Sequence, residues 1–216
     1  MHGVLGMTSQ FNTVLSAVLI LGCTGTSPET GDATDDTLTD NTAGVVFGQA
    51  PAAVGGIPSV IMLSPGDDGN PTFDADPVID QFGLVFSPNI LLVGVGQTVT
   101  FTNSESLAHN VNLRHIETDV IVLDVDTDPA ESAVYTFDEL GGYDVGCDVH
   151  PGMTAFVFAS PTPYTVFANL DGEFTLSGVP PGSYTLTVWS TDMALGTERT
   201  VQVGEERTRL DAGPLS

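Results

Sequence analysis

Gly141-Gly-Tyr143-Asp-Val-Gly-Cys147-Asp-Val-His150-Pro-Gly-Met153-Thr-Ala-Phe156-Val-Phe158-Ala159 decides how this chain is read. Tyr143 and Val145 alternate with short or polar residues, as a half-buried strand requires, and that strand delivers Cys147 to its end. A tight loop follows, with Pro151-Gly152 as its turn signal. Thr154-Ala-Phe156-Val-Phe158-Ala then alternates as the returning strand, with Phe156 and Phe158 on one face. The loop carries a thiolate, an imidazole and a thioether at C-x-x-H-x-x-M spacing. His109, in Leu107-Ala108-His109-Asn110-Val111, supplies a second imidazole. Two His and one Cys in a trigonal array, with a weak axial Met, make the donor set of a type 1 copper centre. Soft sulfur and borderline nitrogen suit a metal that must be held in both oxidation states. A structural zinc would use the same thiolate and imidazoles but leaves Met153 without a purpose. The plain alternative is a buried Cys147 beside surface histidines and a core Met153.

Upstream, Phe86-Ser-Pro88-Asn-Ile90-Leu-Leu92-Val-Gly-Val-Gly96-Gln-Thr-Val99-Thr-Phe101-Thr-Asn103 reads as strand, Gly turn, strand. Tyr135-Thr-Phe137 and the strand ending at Cys147 read the same way around Gly141-Gly142. Both pairs are expected as hairpins, with two ligand loops converging at one end of a sandwich. The chain has 216 residues with 24 Gly and 14 Pro, and long 3.6-residue apolar stripes are absent. An all-β protein of one or two domains is predicted.

Residues 1–23 read as an export signal. Phe11 to Gly22 is apolar but too short to span a bilayer, and no Lys or Arg precedes it. Residues 24–43 contain almost nothing that could enter a core, so they read as a disordered acidic tether with a reach of roughly 25 Å. Cys23 and Cys147 are the 2 cysteines. If one is lipidated and the other binds metal, no disulfide remains; a Cys23–Cys147 bridge is the alternative.

The 28 acidic residues face only Arg114, Arg199, Arg207 and Arg209, for a formal net charge of −24. Nucleic acid and anionic membrane surfaces are poor partners for such a chain, and a basic protein is a good one. Asp119, Asp124, Asp126, Asp128 and Glu131 form the densest acidic run outside the tether. They read equally as a docking patch or as the surface habit of a saline environment. After the leader only His109, His115 and His150 remain. An oxidase or nitrite reductase needs more histidines for a substrate-binding copper. His115 is expected at the surface, and no enzyme is expected.

From about Val78 to Ala159 these motifs resemble the cupredoxins (amicyanin/plastocyanin-like blue copper proteins). The short ligand loop looks most like amicyanin, since plastocyanin-like proteins usually have a longer interval between His and Met. Phe86 and Pro88, Gly96, Asn103, His109-Asn110-Val111 and Cys147-x-x-His150-x-x-Met153 carry the resemblance. It implies a Greek-key β-sandwich over 67–159 that holds one copper ion on His109, Cys147, His150 and Met153. It also implies that Asn110 ties the two ligand loops together, and that the protein passes one electron by outer-sphere transfer to a redox partner such as a cytochrome, oxidase or dehydrogenase. Ile20-Leu21-Gly22-Cys23 resembles a bacterial lipobox. Cys23 would then be the lipid anchor of a periplasmic or cell-surface protein, touching the membrane only there; an unlipidated signal is the alternative.

Asn169-Leu-Asp171-Gly172-Glu-Phe174-Thr-Leu176-Ser-Gly-Val179-Pro-Pro181-Gly182-Ser-Tyr184-Thr-Leu186-Thr-Val188-Trp189 resembles the carboxypeptidase regulatory-like module, a smaller transthyretin-like β-sandwich. Its opening pieces look displaced to Gly44–Gly48 and Gly56–Leu63. This suggests that 44–66 and 160–216 form one sandwich around an inserted cupredoxin; alternatively 44–66 adds a strand to the cupredoxin. Similar pairings occur in methylamine utilisation-type proteins, and Val78-Ile-Asp80-Gln81 fits that group. Trp189 and Tyr184 could make a sugar-binding platform, but single aromatics in a sandwich are more often core, and the module's role is expected to be structural or docking. Two other functions stay open: envelope copper delivery, and a cell-surface interaction protein with an incidental metal site.

Overall fold

β-Branched and aromatic residues dominate the segments between Gly, Pro and Asp turns, and among the described residues every regular element is a strand. The structure, a computed structural model, describes residues 44–66, 73, 76–192 and 198–213. The expected leader with Cys23 and the expected tether lie outside them. In chain order the strands are β1 (Val46–Gln49), β2 (Val60–Pro65), β3 (Val78–Gln81), β4 (Phe86–Ser87), β5 (Ile90–Gly94), β6 (Thr98–Asn103), β7 (His109–His115) and β8 (Val120–Thr127). They continue as β9 (Ser132–Thr136), β10 (Gly141–Gly146), β11 (Thr154–Ser160), β12 (Thr165–Phe167), β13 (Glu173–Leu176), β14 (Gly182–Trp189), β15 (Arg199–Val203) and β16 (Thr208–Asp211).

Four sheets result, ordered β4-β3-β6-β9, β5-β11-β10-β7-β8, β12-β2-β14-β15 and β13-β1-β16. The first two enclose an apolar core of Ile79, Val99, Phe101, Val111, Leu113, Tyr143, Val145 and Val157. The last two enclose another, built on Val46, Ile61, Leu63, Phe174, Leu186 and Val201. β1 and β2 precede the first sandwich in sequence yet pair with β12, β13, β14 and β16, which follow it.

A third apolar layer joins the two sandwiches. Phe156 and Phe158 of β11 face Val60 and Met62 of β2 and Trp189 of β14, with Leu92 and Phe167 at the margin. Side chains alternate across a strand, so β2 sends Ile61 and Leu63 to one core and Val60 and Met62 to the other. Trp189 stacks on Phe156, ring centroids 5.4 Å apart. Its indole N–H donates to Glu117 Oε1, which also accepts the Gly142 N–H at 3.2 Å, while Glu117 Oε2 faces His115 Nε2 at 3.4 Å. Gly142 permits this approach, because a Cβ there would lie 2.6 Å from the indole.

Two expectations need correction. The supposed hairpins are arches: β5 and β10 lie in one sheet, while β6 and β9 lie in the facing one. Gly141 and Gly142 sit inside β10, paired with Ala159 and Phe158, and do not form the turn. His115 is not a surface residue; it is 4% exposed, bonded to Thr118 Oγ1 and the Leu140 carbonyl and set edge-on to Tyr143.

Candidate metal centre

Cys147 follows directly on β10, and its backbone N–H is held by the carbonyl of Met153 at 3.2 Å. The Met153 N–H in turn donates to the His150 carbonyl at 3.1 Å, so the loop folds back on itself within one tight turn. Gly152 takes φ +101° there, a conformation that side chains resist. His109 opens β7, the strand beside β10. Adjacent strands thus bring the two ligand-bearing segments to one end of the sandwich.

Three of the four expected donors meet. Cys147 Sγ lies 3.9 Å from His109 Nδ1 and 3.9 Å from His150 Nδ1, and the two nitrogens are 3.0 Å apart. The point equidistant from these three corners is about 2.1 Å from each, within the metal–nitrogen and metal–thiolate range of about 2.0–2.3 Å. The triangle therefore fits one first-row metal ion without rearrangement. Cys147 and His109 are buried, and His150 is half-buried. Met153 is 2% exposed in the same apolar cluster as Cys147. A buried thiolate, two imidazoles and a neighbouring thioether, with no carboxylate in the triangle, suit copper better than any oxygen-seeking cation.

The surrounding hydrogen bonds orient these donors. Asn110 Oδ1 accepts the Asp148 N–H at 3.2 Å, bridging the two ligand segments, and its amide donates to Asp124 at 2.7 Å. Glu105, which sequence reading passed over, accepts from His109 Nε2 at 3.1 Å and from the Leu84 N–H at 3.2 Å. With its Nε2–H so engaged, His109 turns the Nδ1 lone pair toward the triangle. The Leu84 N–H, followed by His109, holds the Glu105 carboxylate below its ordinary range against partial desolvation. Beneath it, Asn103 (1% exposed) donates to the Leu107 and Thr127 carbonyls at 2.8 Å each and accepts the Glu105 N–H at 3.0 Å. A carboxylate four residues before a ligand histidine was the available signal for Glu105. His115 stands six positions along β7 from His109, roughly 20 Å away, and belongs to the Glu117 cluster instead.

Residues 74–159 match the family described as copper binding proteins, plastocyanin/azurin family. This stretch is a cupredoxin domain, and the cofactor that its donor set and its family share is copper. Residues 161–210 match polysaccharide lyase family 4, domain II, and not the carboxypeptidase regulatory-like module expected there. Among solved structures the chain is similar to a purple cupredoxin from Nitrosopumilus maritimus, at 28% identity over 39% of this chain and 100% of that one, with TM-score 0.35. It is also similar to a methionine-to-alanine variant of amicyanin in the Cu(I) form, at 26% identity over 46% of this chain and 98% of that one, with TM-score 0.37. No curated protein matches the chain.

Proposed function

We propose that this chain is a type 1 copper electron-transfer protein of the cell envelope, and that it is not an enzyme. The donor triangle of His109, Cys147 and His150 carries this reading, with Met153 as the weak axial ligand. Bound copper would supply one electron's worth of storage between its two oxidation states. The protein's part is to keep the donors still. Cys147 and His109 are fixed by neighbouring strands, His150 by the Met153 N–H, and Asn110 and Glu105 by bonds that do not depend on the metal. Burial excludes water from the thiolate, while half-buried His150 gives a redox partner its closest approach.

Cys23 anchors the mature protein by lipid at the periplasmic face or cell surface, and 24–43 serves as tether. The cupredoxin domain, 67–159, is inserted into a second sandwich made from 44–66 and 160–216, a reading supported by the pairing of β1 and β2 with later strands. The excess of acidic residues suits a basic partner.

Voltammetry of the copper-loaded protein tests the role. A reversible one-electron wave, with copper retained through repeated cycles in the presence of a Cu(I) chelator, is expected. Loss of the metal to the chelator on reduction would instead indicate copper delivery.

A further inference from the structure

The two sandwiches cover each other along Phe158, Gly142 and Trp189 but diverge toward the ligand-loop end of β10, leaving a cleft of about 520 Å³. Its floor is the outer face of the ligand-bearing sheet, and strand register explains its shape. One cross-strand row runs Arg114, Asp144, Phe156, Ile90; the next runs Asn112, Gly146, Thr154. Gly146 has no atom within 4 Å of the place where a Cβ would stand, so the second row has a hole at its middle. The turn at Gly55, Gly56 and Ile57, contributed by the other sandwich, forms the facing wall.

The polar lining has most of its charge already matched. Arg114 Nη1 donates to Asp119 at 2.8 Å and stands opposite Asp144 in the sheet; Asp148 accepts from the Asn112 amide at 3.1 Å. Unused hydrogen-bonding capacity remains: among the described residues Asp144 receives no hydrogen bond, and Thr154 Oγ1 makes none. Partial desolvation raises the carboxyl of Asp144, whose side chain stays exposed at the cleft surface, and Arg114 opposes that rise only in part. An anion would meet Asp144 and Asp148, and a cation would have to compete with Arg114. Hydroxyl groups face neither objection. The volume lies within the usual small-molecule range of about 300–1,000 Å³.

We propose that this cleft binds a neutral, hydroxyl-rich ligand of the saccharide class. Asp144 accepts from its hydroxyls, the Asn112 carbonyl and Thr154 complete the polar contact, and Ile57 and Ile90 lie against its C–H face. This site is independent of the electron-transfer reading.

The test is an amide NMR titration of the full-length, Cu(I)-loaded protein with the methyl glycosides of glucose, mannose and galactose, each to roughly 100 mM. Saturable shifts at Gly55, Gly56, Asp144 and Gly146 are expected with at least one sugar. Asp144→Ala should weaken that binding roughly tenfold, the scale of losing one hydrogen bond to a charged group. Gly146→Val, which fills the hole, should abolish it. Absence of saturation with all three sugars would overturn the proposal. So would binding that survives Asp144→Ala unchanged, or a stronger response to n-butylammonium chloride than to any glycoside.

Discussion

Glu105 shows how a side chain outside the donor triangle governs it. It holds His109 through Nε2 and at the same time pins the β3–β4 loop through the Leu84 N–H. Glu105→Ala removes both contacts and frees the ring to turn. Copper affinity should fall about 10- to 100-fold, the usual effect of losing a partner of a metal-bound histidine. Competition with a chelator of known affinity measures this, and Glu105→Gln, which keeps an acceptor, should lose less. The donors themselves were legible because Cys147, His150 and Met153 are neighbours in sequence and their chemistry names a metal. Glu105 offered only its spacing, four residues before His109; it acts from an irregular loop where no period marks which side chain turns inward. His115 was misread because its partners, Thr118 and Leu140, lie in loops whose course only the fold reveals.

At the scale of elements, alternation located the strands but not their pairing. A Gly-containing break between two strands looks alike whether the chain reverses in one sheet or crosses to the facing one, and here it crosses twice. One stronger signal was present: Val60-Ile-Met-Leu63 is apolar at every position and buried at every position. That pattern marks a strand covered on both faces, as β2 is. Gly142→Ala, within β10, forces a methyl against Trp189 and should cost about 1–3 kcal/mol in urea unfolding, the usual scale of overpacking. β3 carries a pH effect. Asp80 is partly desolvated, which raises its carboxyl, but hydrogen bonds from Ser104 and Thr102 outweigh this and hold it below its ordinary value near 3.8. Because the folded-state value is depressed, the stabilisation is present above about pH 4 and lost as pH falls through the folded-state value. The stability difference between the native protein and Asp80→Asn should therefore shrink below that pH; a constant difference would contradict the assignment.

On the scale of the molecule, two sandwiches share an apolar layer and the half-buried carboxylate of Glu117. Glu117→Ala strips the acceptor from both the Trp189 and Gly142 N–H groups and should lower stability by about 1–3 kcal/mol per stranded donor. Residues 67–159 produced alone would expose Leu92, Phe156 and Phe158 and should self-associate on a sizing column, whereas the whole chain should not. For the acidic surface, Asp126→Lys is the informative charge reversal, because Asp124 is engaged with Asn110. It should flatten the ionic-strength dependence of electron transfer to a basic partner; an unchanged slope would assign the acidity to general surface character.

The proposed electron transfer requires copper held by His109, Cys147, His150 and Met153. Titrating copper into the purified protein while recording its visible spectrum tests it most directly. An intense thiolate-to-copper charge-transfer band is expected, saturating at one equivalent and absent from Cys147→Ser. A colourless copper complex, or a band that survives in Cys147→Ser, would contradict it.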